Sequence, residues 1–271
     1  MMIADAQVHL WSFRPEGANP WHRKVPQYTT PELISEMDEA GVHRAVIVPP
    51  MWMGDDNSQA CAAAAEHPNR LAVLGRFPLF DPSAADQLAN WTDQSGMLGL
   101  RFTFGRPDEQ ELLRSGGLDW LWSAAEEAGL PVMFMLSGHI DVVQGIAEAH
   151  PGLKLTVDHL GFPGQKLDDE AFAPIPELLD MAKHDNISVK AATIPAYSSQ
   201  DYPYANSHDV LHRVFDAFGP HRMFWASDLT RLPGTYREYV TMFTEELPWL
   251  KGEDLDLVMG KGMCDWIGWD V

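Results

Sequence analysis

Cysteine is scarce in this chain, and so are most of the features that tie a protein to a membrane, a nucleic acid or an oxidising compartment. The two cysteines, Cys61 and Cys264, stand far apart with no metal-ligand spacing. That excludes a disulfide framework and reads as two free thiols in a reducing compartment. No apolar run approaches the ~18 residues of a membrane span. The N-terminus enters strand-forming sequence directly, with no basic segment ahead of an apolar one, so no secretory signal is expected and the expected location is cytoplasmic. Positive charge is also thin. Nineteen Lys and Arg face 39 Asp and Glu, a formal net charge of −20 over 271 residues. Such a surface repels nucleic acid and anionic membranes and favours solubility. An anionic substrate would therefore need local positive charge, which makes arginines at strand ends candidates. A Gly-rich first turn is missing as well: Trp11-Ser-Phe-Arg-Pro15 stands where a nucleotide-binding sheet would hold phosphate. Neither a linker nor a low-complexity tract interrupts the chain, so residues 1–271 are expected to form one domain.

A hydrophobic content of 45% supports a substantial core. Eight apolar, β-branched runs fall at 2–10, 44–48, 72–77, 99–104, 132–136, 154–158, 187–192 and 223–226. Amphipathic stretches alternate with them. Thr30-Pro31-Glu32 reads as an N-cap with Pro at the first helical position, and Gly41 closes that helix. Asp81-Pro82-Ser83 opens another, and 118–128 ends before Gly129. Further helices are expected at 140–150, 174–184, 207–218 and 236–247. This alternation predicts an α/β fold, a (β/α)8 barrel, whose active site lies at the C-terminal ends of the strands. A doubly wound open sheet is the alternative.

On the first strand, period 2 puts Asp5, Gln7 and His9 on one face and Ala4, Ala6, Val8 and Leu10 on the other. Three polar groups on a buried strand are costly unless something uses them. Other strand ends add Arg101, Ser137, His139, Asp158, His159, Lys190, Ser227 and Asp228. The loops at 11–28 and 49–57 carry Trp11, Trp21, Met51, Trp52 and Met53. They form either an aromatic wall or lid, or a packed seal of the barrel mouth, and they favour an apolar or aromatic ring in the substrate.

These residues carry a resemblance. Ala4-Asp-Ala-Gln-Val-His9 resembles the Asp-x-His-x-His signature of the amidohydrolase superfamily, with Gln7 in place of the first histidine. Asp158-His-Leu-Gly161 resembles the family's strand-six histidine motif. Ala226-Ser-Asp228, preceded by Arg222-Met-Phe, resembles its Arg-x-x-x-Gly-Ser-Asp motif, and Gly99-Leu-Arg101 a Gly-x-Arg strand. The matches run in family order from 5 to 228 and are similar to the amidohydrolase-related lactonases of sugar acids, sulfomuconolactone and pyrone dicarboxylate. The resemblance implies a hydrolase opening a lactone or related cyclic ester, with Asp228 activating water and His159 and His9 polarising the carbonyl or holding the water. It also implies a small-molecule partner bound through Arg101, Gln7, Trp11, Trp52, His139 and Lys190. A homodimer is compatible with it.

Dull readings stand beside these. Asp228 caps the segment after the last strand, Arg101 pairs with Asp5 or Asp158, Lys190 lies on the outer face of its strand, and His139 caps the helix from Ile140. The family's usual metal set is incomplete, since Gln7 replaces one histidine and 132–136 holds no Lys, Glu or His. The expectation is no essential metal. The alternative is one zinc or manganese on His9, His159 and Asp228. The competing functions are a metal-dependent decarboxylase of an aromatic or muconate-type acid and a catalytically silent binding barrel.

Overall fold

The computed structural model describes residues 1–81, 83–135 and 140–270. Its strands are β1 (Ala4–Val8), β2 (Arg44–Ile47), β3 (Leu71–Arg76), β4 (Met97–Phe102), β5 (Val132–Phe134), β6 (Leu155–Val157), β7 (Ile187–Ala192) and β8 (Met223–Ala226). Each pairs in parallel with the next. β8 returns beside β1, where the Asp228 amide donates to the Gln7 carbonyl at 2.9 Å. The expected (β/α)8 barrel is the observed one.

The surrounding helices are α1 (Thr30–Ala40), α2 (Ser58–Glu66), α3 (Ala84–Leu88), α4 (Pro107–Arg114), α5 (Asp119–Glu127) and α6 (Ile140–Ala149). α7 (Asp168–Phe172), α8 (Ile175–Asp180), α9 (His208–Phe218), α10 (Tyr236–Glu245), α11 (Gly252–Asp256) and α12 (Gly262–Ile267) follow. Among the described residues no helix is long and apolar enough to cross a membrane. α1 starts one residue earlier than its Pro suggested. Thr29 keeps extended backbone and donates from its amide and hydroxyl to Glu32, while Gly41 closes the helix at φ 77°. The helix expected over 174–184 breaks into α8 and a tighter turn, Met181–Lys183. α4 was not anticipated, although Pro107 with Asp108 and Glu109 in the first turn is a fair start signal.

Two apolar layers hold the fold. One lies between strands and helices. The other fills the barrel with Ala4, Ala6, Val46, Val48, Leu74, Met133, Ala192, Phe224 and Ala226, and is plugged by Met263, Cys264 and Ile267 of α12. The chain reaches that plug past Gly260, where a Cβ would stand 2.6 Å from the Ala4 amide. The plug therefore sits at the N-terminal end, which leaves the C-terminal end for polar side chains.

β1 departs from simple alternation. Its register against β2 shifts between Asp5 and Val8, a bulge that puts one extra residue in β1. Ala4 and Ala6 face the barrel, so Asp5 faces outward. There it accepts from the Ser227 amide (2.8 Å), the Ser227 hydroxyl, the Gln7 amide (3.0 Å) and the Tyr236 hydroxyl of α10 (2.6 Å). The single polar face expected for Asp5, Gln7 and His9 is thus divided. Asp5 ties β1 to β8 and α10, while Gln7 and His9 turn inward.

Candidate active site

Strand ends deliver charged side chains to one end of the barrel, where burial obliges them to satisfy one another. The lowest layer centres on Asp158. The fully buried Lys190 of β7 places Nζ 2.6 Å from Asp158 Oδ1 and donates to Gln7 Oε1 at 2.6 Å. Arg101 of β4 places Nε 2.7 Å from Asp158 Oδ2 and donates from Nη1 to the Phe102 carbonyl and to Thr103 Oγ1 (3.0 Å). Burial alone pushes the Asp158 carboxyl up, but Arg101 and Lys190 outweigh it and bring it below the ordinary carboxylate range. Because Lys190 holds the Gln7 oxygen, the Gln7 amide nitrogen faces His9 Nε2 at 3.4 Å.

Above this layer His9 and Asp228 meet. His9 Nδ1 lies 2.6 Å from the Val48 carbonyl, which only accepts, so Nδ1 carries the hydrogen. Nε2 is then left 3.0 Å from Asp228 Oδ1, a buried oxygen with no other donor among the described residues. Two lone pairs at that separation repel. Something positive belongs between them, a proton or a metal ion. The other carboxylate oxygen, Oδ2, accepts from Arg231 Nη1 at 3.1 Å. Burial pushes the Asp228 carboxyl up, yet the facing His9 and Arg231 hold it well below its usual range. Its backbone is left-handed (φ 48°, ψ 48°), which turns the chain sharply off β8 and aims the carboxylate inward. Asp228 does occupy the N-cap position of Leu229–Arg231, but its side chain caps no amide.

His159 follows β6 with a left-handed backbone (φ 54°). Its Nδ1 faces the Ala192 carbonyl at 3.4 Å, and Nε2 accepts from Arg231 at 3.3 Å. With both nitrogens engaged, burial first and Arg231 second push the imidazole down to about 3. His22 comes from the 11–28 loop. Its Nδ1 bonds Thr230 Oγ1 at 2.7 Å, and its ring stands edge-on to His9 at 4.9 Å. Burial, then His9, push it down to about 3 as well, so it is a neutral imidazole.

The cavity between these groups is small, about 30 Å³. Arg76 at the end of β3 reaches it, half-buried, donating from Nε to the Pro49 carbonyl (2.6 Å) and from both Nη atoms to Thr103 Oγ1 (3.3 Å). Among the described residues no carboxylate pairs with it. Burial and the neighbouring Arg101 lower its guanidinium to about 9. Four cations (Arg76, Arg101, Lys190, Arg231) thus gather around two carboxylates (Asp158, Asp228), inside a chain of net charge −20.

Sequence reasoning and geometry differ at several positions. Lys190 lies neither on the outer face nor on the cavity wall but beneath it, bound to Asp158 and Gln7. Arg101 takes the structural pair with Asp158 while still lining the cavity. Trp52 lines the cavity, but Trp11 is fully buried behind it. The antiparallel bridge to Tyr28 turns Trp11 away, and its indole donates to the Val25 carbonyl at 3.2 Å. His139 lies outside the described residues. The expected ligand set also changes. Among the described residues, the grouping able to ligate a metal is His9, His22 and Asp228, with ligand atoms within 4.8 Å of one another. His159 stands 3.7 Å from Asp228, and Arg231 donates to both. Arg76, Arg231 and His22 were not singled out. The first two had a signal, a charged residue closing a strand or three places after Asp228. His22 had none, because a loop sequence does not say where it lands.

The amidohydrolase family model matches residues 4–260. No functionally curated protein matches the chain in sequence. A zinc-bound amidohydrolase from Burkholderia multivorans superposes with a TM-score of 0.84 at 18% identity, with 99% of each chain covered. A candidate 2-pyrone-4,6-dicarboxylic acid hydrolase from Pseudomonas putida gives 0.76 at 19%, covering 100% of this chain and 98% of the other. A 5-carboxyvanillate decarboxylase from Sphingomonas paucimobilis gives 0.66 at 17%, covering 98% and 99%. At these identities the likeness is one of fold.

Proposed function

The chain belongs to the amidohydrolase family, and we propose that within it the protein hydrolyses a lactone or related cyclic ester that carries a carboxylate. The observation that carries this reading is Arg76, a half-buried guanidinium without a carboxylate partner among the described residues, beside Arg101 and within the same cavity as Asp228. An unpaired buried charge is costly, and a substrate carboxylate across its planar fork would offset that cost.

In this reading Asp228 orients and deprotonates the attacking water. The proton enters the space between Asp228 Oδ1 and His9 Nε2, which share it across 3.0 Å. The water oxygen bonds to the ester carbonyl carbon, and Arg231 would donate to the charge that develops on the carbonyl oxygen. The ring C–O bond then breaks, and the leaving alkoxide takes the proton back. His159 holds Arg231 in place. A divalent ion held by His9, His22 and Asp228 would occupy the space that otherwise takes this proton, and would polarise the carbonyl and acidify the water in its stead.

The test is ring opening of carboxylated lactones and pyrones, followed by proton release. Turnover by the wild type, lost at least ~10³-fold in Asp228→Asn with unchanged circular dichroism, supports the reading. Turnover that survives in Asp228→Asn refutes it. The second reading is decarboxylation of an aromatic acid, favoured by the same carboxylate cradle beside a candidate metal triad. Carbon dioxide release from hydroxybenzoates without lactone opening would establish it.

A further inference from the structure

His22, a histidine that no strand carries, stands edge-on to His9 and close to Asp228. We infer that His9, Asp228 and His22 form a divalent-cation site split between the barrel and the 11–28 loop, so that the cation clamps this loop over the barrel mouth. The inference shares residues with the proposed hydrolysis but stands whether or not a lactone is the substrate.

Three features of the geometry point to it. The first is the facing pair His9 Nε2 and Asp228 Oδ1, 3.0 Å apart, with no other donor to Oδ1 among the described residues. Two ligands of one metal at ~2.0–2.2 Å stand naturally at about this separation. The second is the outer support. A backbone carbonyl fixes His9 through Nδ1 (2.6 Å), and the Thr230 hydroxyl engages His22 through Nδ1 (2.7 Å). Ligating histidines are normally oriented in this way, and each ring is left its Nε2. The third is separation of charge on Asp228. Arg231 occupies Oδ2, so Oδ1 is the oxygen left for a cation. Gln7 cannot take the same place, because Lys190 holds its oxygen and leaves only the amide nitrogen facing His9.

The loop that carries His22 is docked across several strand ends. The Arg23 amide donates to the Thr230 carbonyl (2.8 Å), and the Trp21 ring covers Arg231 at 5.2 Å. Trp21 also lies against Gly164, where a Cβ would be 2.5 Å from its ring. The docked loop leaves about 30 Å³, room for a water or two but not for a cyclic ester. Lifting of this loop would widen the mouth for a substrate and withdraw His22 from the other two ligands. A cation held by all three favours the closed state.

The decisive measurement is binding of Co²⁺ to chelator-stripped protein, read by its visible absorption, with zinc in competition. One Co²⁺ per chain is expected in a four- or five-coordinate spectrum. His22→Ala should weaken binding by more than ~100-fold, because loss of even an outer-sphere partner costs 10–100-fold. His159→Asn should keep the site, since His159 is engaged by Arg231. Zinc should also slow tryptic cleavage after the exposed Lys24 several-fold in wild type and leave the rate unchanged in His22→Ala. Absence of stoichiometric Co²⁺ binding overturns the inference. So does a site lost in His159→Asn but kept in His22→Ala, which would restore the strand-borne set. None of these readouts depends on lactone turnover, so failure of the proposed reaction and failure of the cation site are separable.

Discussion

Removing either end of the buried Lys190–Asp158 pair should destabilise the barrel, and the two ends should not be equivalent. Asp158 faces Lys190 at 2.6 Å and Arg101 at 2.7 Å, all three inside the barrel mouth. In Lys190→Met, Arg101 still neutralises Asp158, and the main loss is one charge-assisted bond and the anchor of Gln7. That costs about 2 kcal/mol, the range of a hydrogen bond to a charged group. In Asp158→Asn, two buried cations lose their common counter-charge, which costs about 3–5 kcal/mol. At ~2–4 °C per kcal/mol, the melting temperature should fall by roughly 4–8 °C in the first variant and by roughly 6–20 °C in the second. Urea unfolding at pH 7.5, followed by circular dichroism and tryptophan fluorescence, measures both. Equal losses, an inverted order, or two losses under about 1 kcal/mol would refute the view that Asp158 is the shared counter-ion of this layer.

Arg76→Met should raise KM for a carboxylated substrate by about 10–100-fold, the worth of a charge-assisted pair, while costing at most about 1–2 kcal/mol of stability through its lost bonds to Pro49 and Thr103; an unchanged KM contradicts this. The folded state keeps His159 neutral down to about 3, below the ~6.5 of an unfolded histidine. Its contribution is full above pH 6.5 and is lost as pH falls through the window toward 3, at about 1.4 kcal/mol per pH unit. His159→Gln should flatten the acid limb of a urea-midpoint profile by that slope, and an unchanged limb counts against it. Gly164→Ala places a Cβ 2.5 Å from the Trp21 ring, so the 11–28 loop should shift and tryptic cleavage after Lys24 should accelerate; an unchanged rate means the loop does not rest on that ring.

Much of the architecture was legible because it follows from local rules. Alternating β-branched runs and capped amphipathic segments specify eight βα units, and parallel strands with helical crossovers close most readily as a barrel. The sequence also exposed Asp228, His9, His159 and Arg101, since a polar residue ending an apolar strand must face something that satisfies it. Relations between distant segments were not legible. A one-residue bulge in β1 sends Asp5 outward while Gln7 and His9 stay inside, and period 2 cannot foresee where a register slips. Lys190 could stand on either face until β6 placed Asp158 beneath it. Arg231 claims the position next to His159 that a metal was expected to take, and His22, 13 residues beyond His9 in the chain, arrives beside His9 only because its loop bonds Thr230, just past the strand that neighbours β1. Local sequence determines which elements form and which side chains they can offer. Tertiary structure decided which of those side chains meet, because the partner that neutralises a buried charge is chosen by distance in space rather than along the chain.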